Sequence, residues 1–170
     1  NLERMISKGT ISDIDQERTL ANIKTFTNLR EGVSNVDLVI EAVSENKEVK
    51  LALFKQLDSH CQQHTILASN TSSISITELG HITNRADKVI GMHFMNPVPL
   101  MKLVEVIKGS NTSPEVTKTI VELAFSLDKI PVEANDSPGF IANRIVMPML
   151  NEAIETLQNG VAGVIEIDTV

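Results

Sequence analysis

Five short apolar runs separated by stretches of helical periodicity limit this chain more than any other feature of its sequence. They are VDLVIEAV (36–43), TILAS (65–69), KVIGMHF (88–94), MKLVEVIKG (101–109) and KIPVEA (129–134). Short apolar runs bounded by turn residues read as strands, and strands alternating with helices predict a mostly parallel α/β sheet. Between them, NKEVKLALFKQLDSHCQQH (46–64) spaces Val49, Leu53 and Leu57 along a helix, and SISITELGHI reads as a short helical stretch. SPEVTKTIVELAFSLD (113–128) is a further helix, with Ser113 as N-cap and Pro114 at its first position.

After NDSPGF the pattern changes. Ser137 can cap and Pro138 can open a long helix running to about Asn159, with Gly160 as its stop. Pro148 inside it removes an amide donor and should kink it. A domain boundary is therefore expected near Asp136, separating residues 1–136 from residues 137–170. The chain starts NLERMISKG, without an initiator Met, and stops at VIEIDTV, so it reads as an internal piece of a longer protein.

Composition narrows the function classes. With 15 basic against 22 acidic residues and a net charge of −7, no basic patch is visible for nucleic acid. No apolar run reaches the ~18 residues of a membrane span. Cys61 is the only cysteine, so no internal disulfide can form, which suits a reducing compartment; a cytoplasmic location is expected, any targeting segment lying outside this chain.

In open α/β sheets, ligands gather outside the carboxyl ends of the strands. Three polar clusters fall there: EAVSEN, SNTSS and HFMNP. His93, between Met92 and Phe94, is either a hydrogen-bonded core histidine or a proton-transfer group. Glu105 shares a strand face with Leu103 and Ile107, where a carboxylate needs a partner. Facing His93, it would orient the ring and favour the imidazolium; on an edge strand it would simply be solvated.

Ser72 is either a helix cap or a hydroxyl that bonds a ligand, and no G-x-S-x-G elbow marks it as a nucleophile. Glu45 and Lys50 flank a helix start, where the default is a solvated entry. Asn143, about two turns into the last helix, would need partners if it faced inward. His60 and His64 are one helical turn apart, but the H-E-x-x-H glutamate and a third ligand are missing, so no metal is expected; His81 reads as surface loop.

Taken together, VIEAVSEN, ILASNTSSISI, GMHFMNPVPLMKLVEVIKG and DSPGFIANRI resemble, in order and over nearly the whole chain, the short-chain L-3-hydroxyacyl-CoA dehydrogenase family. The resemblance implies a partial Rossmann-type, doubly wound sheet followed by the start of an all-helical C-terminal domain. It implies NAD(H)-dependent interconversion of (S)-3-hydroxyacyl-CoA and 3-ketoacyl-CoA, in fatty-acid β-oxidation or butanoate metabolism. Ser72, His93, Glu105 and Asn143 match the family's active-site residues, and Glu45, Lys50, Ser72 and Asn96 its nicotinamide contacts. HFMNPVP looks more like the monofunctional enzymes, since the multifunctional ones more often carry Ser in place of Asn96.

By the same resemblance the partner is an acyl-CoA and the complete protein a homodimer, with no nucleic-acid or membrane partner. The family's G-x-G-x-x-G loop would lie upstream of residue 1, so this chain alone is expected to bind cofactor weakly and to be inactive. Two rival readings share these residues. One is a non-catalytic structural relative on the same fold. The other is a Ser72/His93/Glu105 acyl hydrolase, which the chain order and the missing elbow disfavour.

Overall fold

The computed structural model describes residues 2–170. Three short helices, α1 (Leu2–Ser7), α2 (Asp13–Ala21) and α3 (Leu29–Val33), precede a five-stranded sheet. No element was expected over this stretch. α2 owes its start to a capping box between Ser12 and Asp15, and none of its residues is buried.

The strands are β1 (Leu38–Glu41), β2 (Ile66–Ser69), β3 (Val89–Phe94), β4 (Leu103–Lys108) and β5 (Ile130–Asn135), and they lie side by side in sequence order. Neighbours are parallel except β3 and β4, which run antiparallel. The exception has a simple cause. A parallel crossover takes about a dozen residues or more, and the connection over 95–102 is too short for one.

Side chains alternate across the sheet and build a core on each face. Leu67, Val89 and Ile107 pack with Phe54 and Leu57 of α4 (Lys47–His60) and with Ile76 and Leu79 of α5 (Ile76–His81). Ala68, Ile90, Met92, Val104 and Val106 pack on the other face, against Val116, Ile120 and Ala124 of α6 (Pro114–Ser126). The helix expected over 113–128 is thus α6, capped by Ser113.

α4 ends at His60, earlier than its periodicity suggests. The Arg85 guanidinium takes the carbonyls of Asp58, Cys61 and Gln62, which terminates the helix and satisfies its last acceptors. His64 therefore lies beyond the helix and contacts Asp37 at 3.0 Å, so the His60/His64 spacing does not become a helical pair. Among the described residues no group of His, Cys, Asp and Glu could hold a metal. His81 is not a loop residue; it closes α5, its ring 3.3 Å from Asn111.

The long final helix also starts later than expected. α7 (Ala142–Gln158) passes through Pro148, and α8 (Val164–Thr169) follows it. Ser137 is not its N-cap. Residues 137–141 form a turn in which Gly139 (φ 76°) and Phe140 (φ 48°) are left-handed, a geometry that cannot belong to a helix. Asn143 is accordingly the second residue of α7, not two turns into it. Gly160, at φ 67°, follows the helix as expected, its amide on the Leu157 carbonyl. Among the described residues no helix is long and apolar enough to cross a membrane.

Candidate active site

The carboxyl ends of β1, β2 and β3 bring the polar clusters of the sequence together. Antiparallel pairing of β3 with β4 makes His93 and Glu105 direct cross-strand partners. Such a pair holds its side chains close on one face. His93 Nδ1 lies 2.8 Å from Glu105 Oε2, and both residues are buried. β4 is interior to the sheet, which removes the solvated-edge reading of Glu105.

Glu105 has a second task that its sequence context does not announce. Its Oε1 accepts the amides of Ile141 (2.8 Å) and Ala142 (2.9 Å), so the carboxylate caps α7 from the side. A carboxylate with both oxygens accepting leaves His93 Nδ1 as the protonated nitrogen and Nε2 as the basic one. Nε2 faces Ser72 Oγ at 3.0 Å. The edge of the Phe140 ring completes the wall, with ring centroids 5.8 Å apart at 62°.

Ser72 is not a helix cap. That position belongs to Ser75, whose hydroxyl accepts the Glu78 amide at the start of α5. Ser72 is held instead by Glu45, whose Oε1 takes the amides of Ser72 (3.0 Å) and Ser73 (3.1 Å) and the hydroxyls of Thr71 (2.5 Å) and Ser73 (2.9 Å). Partial burial pushes the Glu45 carboxyl up, but bonds from Thr71, Ser73 and Ser72 and the Lys50 charge outweigh it and hold it below the usual carboxylate range. Asn143 Nδ2 reaches the Ser72 carbonyl at 3.5 Å, and Asn96 is exposed on the loop after β3.

Lys50 is fully buried, which its position at a helix start did not suggest. Its ammonium lies 2.6 Å from Glu41 Oε1, 3.2 Å from the Val43 carbonyl and 3.5 Å from Glu45 Oε2. Glu41, Ser69, Thr71 and Asn70 are site residues that sequence reasoning missed. Glu41 Oε2 accepts the Ser69 hydroxyl at 2.6 Å, and Asn70 Oδ1 accepts the amide of Phe94 beside His93. Glu41 carried the same signal as Glu105, a carboxylate inside an apolar strand.

A doubly wound, mostly parallel sheet whose strand ends gather polar loops beside a buried histidine–carboxylate pair defines the class of dinucleotide-binding folds. Comparison with known proteins narrows it. Residues 1–137 match the 3-hydroxyacyl-CoA dehydrogenase NAD-binding domain and residues 139–170 the C-terminal domain of the same family. The chain belongs to the 3-hydroxyacyl-CoA dehydrogenase family: a Rossmann-like NAD-binding domain followed by helices of the C-terminal domain.

It is 48% identical over 168 residues to 3-hydroxybutyryl-CoA dehydrogenase of Clostridioides difficile, covering 99% of this chain and 59% of that protein. It is 48% identical over 153 residues to the mitochondrial hydroxyacyl-coenzyme A dehydrogenase of Homo sapiens, covering 90% of this chain and 49% of that protein. The crystal structure of (S)-3-hydroxybutyryl-CoA dehydrogenase from Ralstonia eutropha superposes with a TM-score of 0.93 at 45% identity, covering 97% of this chain and 58% of that one. The chain thus spans about half to three-fifths of the length of these relatives.

Proposed function

We propose that the protein carrying this chain oxidises (S)-3-hydroxyacyl-CoA to 3-ketoacyl-CoA with NAD, and runs the reverse reaction with NADH. The observation that carries this reading is the hydrogen-bonded line Ser72–His93–Glu105, with Nε2 of His93 as its basic end. Removing a hydride from a secondary alcohol requires taking the hydroxyl proton from the same carbinol. His93 Nε2 takes that proton, and the Glu105 carboxylate stabilises the imidazolium that results. In reverse, His93 returns the proton to the forming alkoxide. Ser72 and Asn143 hold the substrate oxygen so that the carbinol carbon is aligned. The nicotinamide, when bound, accepts or donates the hydride.

The residues fit that cofactor. Glu45 and Asn96 are exposed and Ser72 partly so, which leaves a carboxylate, an amide and a hydroxyl accessible to a carboxamide. Lys50, expected to contact the nicotinamide, is instead sealed from solvent against Glu41 and would act only through Glu45, 3.5 Å away. The boundary between the NAD-binding and helical parts falls at Asp136, and the full protein is taken to be a cytoplasmic homodimer acting in fatty-acid metabolism.

The test is NADH oxidation by the complete protein with acetoacetyl-CoA, beside His93→Gln. The variant should lose at least ~100-fold in kcat, the scale of a general acid–base residue. A folded, NADH-binding protein that turns over no 3-ketoacyl-CoA would sink the assignment.

The hydrolase reading gains something from the same line of residues, which has the connectivity of a Ser–His–acid triad. It fails on the next requirement. The backbone amides best placed to form an oxyanion hole, those of Ser72 and Ser73, both bond Glu45. Thioester hydrolysis by the complete protein, followed by thiol release without NAD, should stay at background.

A further inference from the structure

The turn that joins β5 to α7, together with the first two residues of that helix, sets the helical segment against the reacting groups. Phe140 sets its ring against His93, Ile141 and Ala142 bond Glu105, and Asn143 reaches Ser72. It is also strained. Gly139 and Phe140 are consecutive left-handed residues, and a bulky non-glycine residue there costs on the order of 1–3 kcal/mol. Even Gly139 has little room, since a Cβ on it would stand 3.1 Å from the Arg144 amide. Such a turn persists only if both of its ends are fixed.

Glu105 fixes the far end. The near end is fixed by a residue with no role so far. Asp136 Oδ2 accepts the Ser75 hydroxyl at 2.6 Å and the Thr77 amide at 2.8 Å, while its own amide bonds the Lys108 carbonyl at 3.0 Å. Ser75 needs no help as the cap of α5, because its oxygen already accepts the Glu78 amide. The additional bond links the start of the turn to the segment that carries Ser72.

We propose that Asp136 is a positioning residue: its bonds to Ser75 and Thr77 anchor the strained 136–142 turn and so set where Asn143 meets Ser72 and where Phe140 meets His93. This rests on the dehydrogenase reading only for its kinetic consequence. Burial pushes the Asp136 carboxyl up, but bonds from Ser75, Thr77 and Ile76 outweigh it and hold it below the usual range, as an acceptor of these donors should be.

The experiment compares wild type, Asp136→Ala and Asp136→Asn in the complete protein. The asparagine keeps an oxygen where Oδ2 stands, so it tests the tether apart from the charge. In Asp136→Ala, the Ile141 and Ala142 amides should exchange with deuterium at least ~10-fold faster, as expected when a local opening becomes easier. Its kcat for 3-ketoacyl-CoA reduction should drop ~10- to 100-fold, the scale of a small misplacement of reacting groups, with the KM for NADH unchanged. Asp136→Asn should restore both. Wild-type exchange in the alanine variant overturns the proposal, and so does equal impairment in both variants. Absence of turnover in the wild type would count against the dehydrogenase reading alone, because the exchange rates still decide the role of Asp136. Should Asp136→Ala not fold, Ser75→Ala removes one donor of the same tether and is judged by the same exchange rates.

Discussion

The Lys50 ammonium lies 2.6 Å from Glu41 Oε1, with both side chains sealed from solvent. The pair belongs to a closed ring. From Glu41 it runs through the Ser69 hydroxyl to the Thr71 amide, from the Thr71 hydroxyl to Glu45, and from Glu45 back to Lys50. Ser72 follows Thr71 directly, so the ring under the strand ends supports the loop that faces His93. Removing one partner of a buried pair strands the other charge, at a cost of about 3–5 kcal/mol, whereas replacing both by apolar groups costs far less. Glu41→Gln should therefore be strongly destabilising in urea unfolding. The double variant Glu41→Gln/Lys50→Met should recover part of the loss, because it removes the stranded ammonium and keeps an oxygen for the Ser69 hydroxyl or the Val43 amide. A single variant within ~0.5 kcal/mol of wild type, the range of ordinary surface substitutions, would rule this out.

Glu105→Gln should separate the two tasks of that side chain. One oxygen remains for the Ile141 and Ala142 amides, so α7 keeps its cap. The amide nitrogen, however, presents a donor to His93 Nδ1 and favours the other tautomer, which places the proton on Nε2. Acetoacetyl-CoA reduction should fall by roughly 10²–10⁴, as when a triad carboxylate becomes an amide. Thermal unfolding should move by only a few degrees. A large loss of stability with little loss of turnover per folded molecule would assign Glu105 to packing alone.

Gly91 faces Ile107 of β4 and Ile76 of α5 with no room for a side chain. A Cβ there would stand 2.7 Å from Ile107 Cβ and 3.1 Å from Ile76 Cδ1. Gly91→Ala should cost about 1–3 kcal/mol, the usual penalty for overpacking a tight core. Chemical denaturation would register it as a lower midpoint with unchanged slope. An unchanged midpoint would mean that Ile107 and Ile76 both yield without cost.

Acid stability should depend on Asp58. Burial pushes its carboxyl up, but the Asn84 amide, Asn84 and Arg85 side-chain bonds and the Arg85 charge outweigh it and hold it below the usual range. A carboxyl depressed in the folded state contributes stability that is fully present above its unfolded value of about 3.9 and is lost as pH falls through the folded value. Wild-type melting temperature should thus drop steeply below about pH 4. Asp58→Asn should be less stable at neutral pH and show a shallower acid decline. Parallel curves for the two proteins would remove Asp58 from the acid transition.

Much of this architecture could be read from residue order. The five strand runs, the Ser113–Pro114 start of α6 and the Gly160 stop are where periodicity and turn chemistry place them. His93 and Glu105 stood out because a titratable group inside an apolar strand must find a partner. Glu41 met the same criterion and was passed over, and Ser69 and Thr71 had no distinguishing signal: small hydroxyl residues after a strand serve turns and caps far more often than sites. The shortfalls in the helices have physical causes too. α4 stops at His60 because Arg85, distant in sequence, takes its last carbonyls, and α7 starts at Ala142 because Glu105 supplies a cap that no neighbouring residue provides.

Periodicity, turn residues and side-chain chemistry are local properties, so the sequence by itself determined the order of the five strands and of the helices between them, and the residue types capable of proton transfer. Partnership is not local. The short 95–102 connection obliges β3 and β4 to run antiparallel, but only the tertiary structure fixed the register that sets His93 opposite Glu105. The same holds for Lys50, which turns inward to Glu41, and for the tether from Asp136 to Ser75. Each of those bonds joins groups whose proximity depends on the register of the whole sheet, and the burial that makes them strong exists only once both faces of that sheet are covered.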